Sequence, residues 1–261
     1  MKCVMQFQTK KILVTVKAYP NPSSKYVETV CCAGIDLSTN QWIRLYPIPY
    51  RLLEDKKQFK KYSIIEAACL KATDDHRPES YKVNADSIKV LPEVIDTKDK
   101  WKRRKDIIMP TLAESMCQVC KLGEEKKKTL ALVKPLEIGF EWQETKLEEA
   151  TEEKQDSYKQ LSFTHSEIER IEKIPYDFYY TFKCTENNCP GHGMLIIDWE
   201  INQAFRNWRY KYKPETLLLE KIKERWLQRM CYNNTDPYFF VGNVHRFPKT
   251  FMVLGTFYPP K

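Results

Sequence analysis

The chain has 261 residues, 42% hydrophobic and 30% charged, enough apolar content to bury a core as one large domain or two smaller ones. Its formal net charge of +8 favours a polyanion partner, nucleic acid first. With only 7 glycines it carries neither GxGxxG nor GxxxxGK(S/T), which excludes Rossmann and P-loop nucleotide sites.

No apolar run reaches the roughly 18 residues that a membrane helix needs. The charge is uneven: residues 1–60 hold ten Lys/Arg against four Asp/Glu, and residues 111–160 hold eight against eleven. The front of the chain is the expected electrostatic face. Nine cysteines, an odd number, without an apolar leader at Met1–Lys11 point to a cytoplasmic protein with reduced thiols.

In chain order, Lys11–Tyr19 alternates as a strand, Pro20–Ser24 is a loop, and Tyr26–Gly34 is rich in β-branched and small residues, as strands are. Ser38–Asn40 is a turn, and Gln41–Tyr46 alternates strongly before Pro47 and Pro49 end it. Tyr62–Leu70 completes a small meander expected to curl into a barrel, since closure removes exposed edges. Residues 96–105 are a basic run, and Pro110–Leu122 reads as a helix with Pro110 in its first turn. Thr129–Lys134 and Glu137–Trp142 read as strands, and the acidic stretch 141–160 as a linker or solvated helix. Tyr176–Cys184 and Gly193–Trp199 are further strands. Helices are expected at about 200–212 and 215–231, the second with an apolar stripe of Leu218, Ile222, Trp226 and Met230. Tyr238–Val241 and Thr250–Phe257 form a closing hairpin. The expectation is an α+β protein with a β-barrel over 1–140, a linker over 141–160 and an α+β part over 161–261.

The sharpest motif is Cys184-x4-Cys189-x2-His192, three zinc-type ligands on one tight Asn-Asn-Cys-Pro-Gly loop. A fourth ligand is missing locally; Cys117, Cys120, Cys231 and His245 are the distant candidates. Cys117-x2-Cys120 is half a metal knuckle, but inside a helix its two thiols can equally just pack. A catalytic alternative groups His192, Asp198, Glu200 and His245 around a divalent cation for phosphodiester hydrolysis. Against it, Asp198 precedes a helix, where a carboxylate caps free N–H groups.

Trp42, Arg44, Tyr46, Tyr50 and Arg51 interleave rings and cations, with Trp42, Arg44 and Tyr46 on one face by period two. Together with Lys102, Arg103, Arg104 and Lys105 they form the expected nucleic-acid surface, Trp42 or Tyr50 stacking and the cations meeting phosphates. The segment Ala33-Gly34 followed by Trp42-Ile-Arg-Leu-Tyr-Pro-Ile-Pro-Tyr-Arg51 resembles a recurring element of the OB-fold-like proteins of bacterial and phage conflict systems, the dual-OB group. The resemblance is confined to this N-terminal segment. It implies an OB-like barrel that senses or binds nucleic acid, and no catalytic residue. The leading expectation is therefore a nucleic-acid-binding protein, DNA or RNA, with a structural zinc. A metal-dependent nuclease and a protein-interaction module are the alternatives.

Overall fold

The computed structural model describes residues 6–23, 27–145 and 174–261. The first unit holds β1 (Gln8–Lys17), β2 (Asn21–Ser23), β3 (Val27–Asp36), β4 (Gln41–Ile48), β5 (Ser63–Lys71), β6 (Ser80–Val83) and β7 (Lys89–Val94). β1 pairs on both of its edges, Ile12 facing Asp36 of β3 on one side and Ile65 of β5 on the other. The order β1-β3-β4-β6-β5 thus closes back on β1 as a five-stranded barrel. All these pairings are antiparallel except β4 with β6. This is the OB-like barrel that the sequence led one to expect. Gly34 makes it possible, because a Cβ there would stand 2.2 Å from the Leu13 carbonyl oxygen. The short β6 and the β7 edge, which carries Pro92, lack a clear alternating pattern and escaped the sequence reading.

The helix α1 (Lys98–Ile108) links the units; Asp99, Lys100 and Trp101 in its first turn have positive φ. The second unit holds α2 (Met116–Glu124), β8 (Leu130–Val133), β9 (Leu136–Glu144), β10 (Tyr176–Lys183), β11 (His192–Leu195), α3 (Trp199–Trp208), α4 (Glu215–Lys223), β12 (Tyr238–Val244) and β13 (Phe247–Phe257). A π-helical stretch, Glu224–Tyr232, continues α4. β9 pairs with β10, β10 with β11, β13 with β12, and β12 with β8. A parallel bridge, Ile196 to Val253, connects the end of β11 to β13. With β8 and β9 counted as one strand bent at Pro135, this order repeats that of the first barrel, down to the parallel contact between its third and fifth strands. β8 and β9, grouped with the first barrel on sequence, hydrogen-bond to β12 and β10 instead. The expected acidic linker begins inside β9, and from residue 146 it lies outside the described residues.

Three apolar clusters follow from this arrangement. One fills the first barrel around Ile12, Ile43, Leu45 and Ile65. Another fills the second unit around Phe178, Tyr180, Ile222 and Phe239. The third joins the units, with Leu13, Trp42 and Ile64 against Leu130, Phe240 and Phe257. The two faces of β4 show how one strand serves both: Ile43 and Leu45 point into the barrel, and Trp42 points out to meet Phe240 edge-on at 5.8 Å. Among the described residues no helix is long and apolar enough to cross a membrane.

Candidate functional site

The Cys/His loop does not stand alone. Cys184 directly follows β10, Cys189 lies in the turn, and His192 opens β11. α2 brings the fourth group, Cys117, from 67 residues upstream. The four ligand atoms lie within 4.8 Å of one another. Cys117 Sγ is 3.6 Å from Cys184 Sγ and 3.6 Å from His192 Nε2, and Cys189 Sγ is 3.3 Å from His192 Nε2. Tetrahedral zinc bonds of about 2.3 Å to sulfur and about 2.0–2.1 Å to nitrogen place S and S about 3.8 Å apart, and S and N about 3.6 Å. The cluster therefore fits one tetrahedral metal ion.

Local structure holds that geometry. Ser115 caps α2 through Gln118 N–H and also donates to Glu186 Oε2 at 3.0 Å, tying the helix start to the loop. Gly191, at φ +90°, turns the chain between Cys189 and His192. The N–H groups of Cys184 and Gly191 both donate to Cys189 Sγ at 3.4 Å. Burial opposes ionisation of Cys184, yet N–H groups of Glu186 and Cys117, with His192 and Cys189, hold its thiol down to about 6. Burial and hydrogen bonds with Cys184 and Cys189 push the Cys117 thiol up to about 12. One thiolate forms readily and suppresses the next; a bound cation is what lets several coexist. Cys120 packs against the core beside this centre, and Cys231 is buried with its thiol on the Trp226 carbonyl.

The four residues grouped as a catalytic set are not brought together. His192 belongs to the cysteine centre, whereas His245 stands near Asp75 and His76. Asp198 is the N-cap of α3, accepting from Glu200 N–H at 3.1 Å, and it receives Lys61 Nζ at 2.6 and 2.7 Å. Glu200 is 3.6 Å from the same ammonium. These groups join the two units through Lys61. The Asp75–His76–His245 trio is a poorer metal site, because Asp75 already accepts three bonds from the Arg77 guanidinium.

The expected nucleic-acid residues are redistributed by burial. Trp42 is covered by Phe240, and Tyr50 is packed between Phe59 and Trp199. Neither ring is open to a base. Arg44 is 2% exposed and bonds to the Thr129 carbonyl and hydroxyl and to Cys31 Sγ. Arg104 lies over the Tyr62 and Trp101 rings and donates to the Ile95 carbonyl. Lys102 and Arg103 are exposed but paired, with Asp106 and Glu93 respectively. Lys105 is half-buried on the same helix, and Arg51 is half-buried in the turn after β4.

What the outer face of β4 leaves open is a cleft of about 850 Å³ between the units. Cys31, Arg44 and Tyr46 of β3 and β4 form one wall, and the segment from Ala72 to Ala85 forms the next. Asn243–Arg246, Met252 and Leu254 of the β12–β13 hairpin form the third. The charged side chains lining it are Arg44, Arg77, Lys82 and Arg246 against Asp74 and Asp75. Both carboxylates are already paired, Asp74 with Lys82 and Asp75 with Arg77. Tyr46 and Phe7 are about half exposed at its edge. The sequence showed which residues share this face, but not that Phe240 would cover part of it.

A model of a domain of unknown function, DUF8757, matches residues 112–261, and one of a second such domain, DUF8758, matches residues 8–110. The chain belongs to the DUF8757 family. The DUF8757 region begins just before α2, so it contains all four groups of the Cys/His centre and the hairpin wall of the cleft. No curated protein matches the sequence. Among solved structures, the crystal structure of the p204 HINb domain is similar over 98% of each chain at 7% identity, with a TM-score of 0.33. A likeness at that level carries nothing about what this DUF8757 protein binds.

Proposed function

We propose that this is a nucleic-acid-binding protein built from two OB-like units, with a structural zinc at Cys117, Cys184, Cys189 and His192. The observation that carries the reading is the position of the cleft. It lies on the outer face of the second and third barrel strands, beside the loop between the fourth and fifth, where OB-folds take oligonucleotides. Its charge balance supports an anionic ligand, since both lining acids are paired and Arg44 and Arg246 remain. Zinc suits three thiolates and an imidazole at tetrahedral spacing, and four protein ligands leave no open position for catalysis. Its role here is to brace α2 against the β10–β11 hairpin. The resemblance to the dual-OB group adds a setting, bacterial or phage conflict, which phage challenge of cells expressing the protein would test.

The primary experiment is fluorescence anisotropy with labelled single-stranded DNA and RNA. Two to three phosphate contacts in the cleft predict a log–log salt slope of about −1.4 to −2.1 for a single strand. Affinity then falls about 7- to 18-fold between 50 and 200 mM salt. Binding that is absent, or flat with salt, removes the reading. Elemental analysis tests the metal: one zinc per chain is expected, and none would reduce the centre to a thiol cluster.

A further inference from the structure

The outer face of β4 is open at one end and shut at the other. Tyr46 is 46% exposed, Arg44 is 2% exposed, and Trp42 lies under Phe240. A strand running along this face meets the second unit and stops. The cleft is therefore a dead end rather than a track, and its 850 Å³ lies within the about 300–1,000 Å³ of small-ligand sites.

The chemistry at the blind end is unusual. Arg44 is a buried cation whose bonding partners are a carbonyl, a hydroxyl and a thiol, none of them a carboxylate. Its Nε has no partner. The nearest carboxylate, Glu79, is one hydroxyl away, accepting from Thr129 Oγ1 at 2.6 Å rather than from the guanidinium. The buried charge of Arg44 is therefore only partly offset, and an anion entering the cleft offsets the rest. At the open end the exposed Tyr46 and Phe7 rings offer faces for stacking, and Arg246 stands exposed on the hairpin.

We infer that the cleft seats one phosphate-bearing nucleotide, its phosphate directed toward Arg44 and its base against Tyr46. This rests on the nucleic-acid reading above and narrows it from a strand to a single nucleotide unit. The absence of a glycine-rich loop fits, because a guanidinium, and not a run of backbone amides, supplies the anion contact. The nucleotide is either free or the 5′-phosphorylated end of a strand; the two share one chemistry.

The test is calorimetric titration of the full chain with four probes. They are the ribonucleoside 5′-monophosphates, the matching nucleosides, and an eight-nucleotide single strand with and without a 5′-phosphate. The expected result is one site per chain that binds monophosphates or the phosphorylated strand at least tenfold more tightly than the probe lacking phosphate. Tightest binding of the phosphorylated strand identifies a strand end as ligand, and tightest binding of the monophosphate identifies the free nucleotide. Tyr46→Ala should weaken either at least fivefold, and Ala72→Trp, which fills the cleft, should abolish it, both with melting temperatures within a few degrees of wild type. Arg44→Met should erase the phosphate preference if it folds. Binding of the unphosphorylated strand equal to the phosphorylated one, and unaffected by Ala72→Trp, overturns the inference while leaving nucleic-acid binding in place. No binding of any probe at millimolar concentration removes both.

Discussion

Replacing Asp198 by asparagine separates a structural from a catalytic carboxylate. Asparagine caps a helix about as well as aspartate, so α3 keeps its start. What the variant loses is the counter-charge of Lys61, whose side chain is only 10% exposed. Stranding one member of a buried pair costs about 3–5 kcal/mol. Glu200 stays 3.6 Å from the ammonium, which places the cost near the low end, about 3 kcal/mol. For a chain of this size that corresponds to a fall of about 6–12 °C in melting temperature. Asp198→Ala should cost about 1 kcal/mol more, because it also removes the cap. Lys61→Met alone should be similarly harmful, whereas Lys61→Met with Asp198→Asn should recover most of the loss. Urea denaturation of the wild type, Lys61→Met, Asp198→Asn and the double variant gives the coupling energy directly. A coupling near zero, or an Asp198→Asn variant with wild-type stability, refutes the account. If that stable variant also lost a phosphodiester-cleaving activity, Asp198 would be a catalytic carboxylate after all.

Three further outcomes follow from the same geometry. With the proposed zinc at this centre, Cys117→Ser should abolish zinc binding and lower the melting temperature, while Cys120→Ser should retain one zinc per chain; elemental analysis of both proteins reads the difference. Trp42→Ala should cost about 3–5 kcal/mol by opening a cavity under Phe240, whereas Tyr46→Ala, which takes from the buried Thr29 hydroxyl its bond to the phenol, should cost about 1 kcal/mol, both measured by urea unfolding. Burial opposes the ionised form of Asp36, but bonds from Lys10 and Ser38 hold its carboxyl below the usual range. A carboxyl lowered on folding stabilises above its unfolded value, and that stability is lost as pH falls through the lowered one. Stability should therefore decline below about pH 4, and Asp36→Asn should make that decline shallower.

Period-two alternation in Lys11–Lys17 and Gln41–Tyr46 was enough to place β1 and β4 and to say which side chains share a face. The carboxylate before Trp199 announced a helix start, and Asn187–Gly191 announced the turn that gathers Cys184, Cys189 and His192. Those are local properties, set by neighbours a few residues away. Which face of β4 would be covered was not local. Trp42 and Tyr46 carry the same pattern, yet one lies under Phe240 and the other is open to solvent, because the second unit docks over only part of the strand. The bend at Pro135 that lets β8 and β9 serve two sheets, and the closing contacts of β6, likewise depend on partners far along the chain. The same holds for the centre with which the sequence is most marked. The three local members of the cluster were legible from spacing, but the choice of Cys117 over Cys120, Cys231 and His245 as the fourth was made by the docking of α2, since only tertiary packing brings a thiol from 67 residues away to within 3.6 Å.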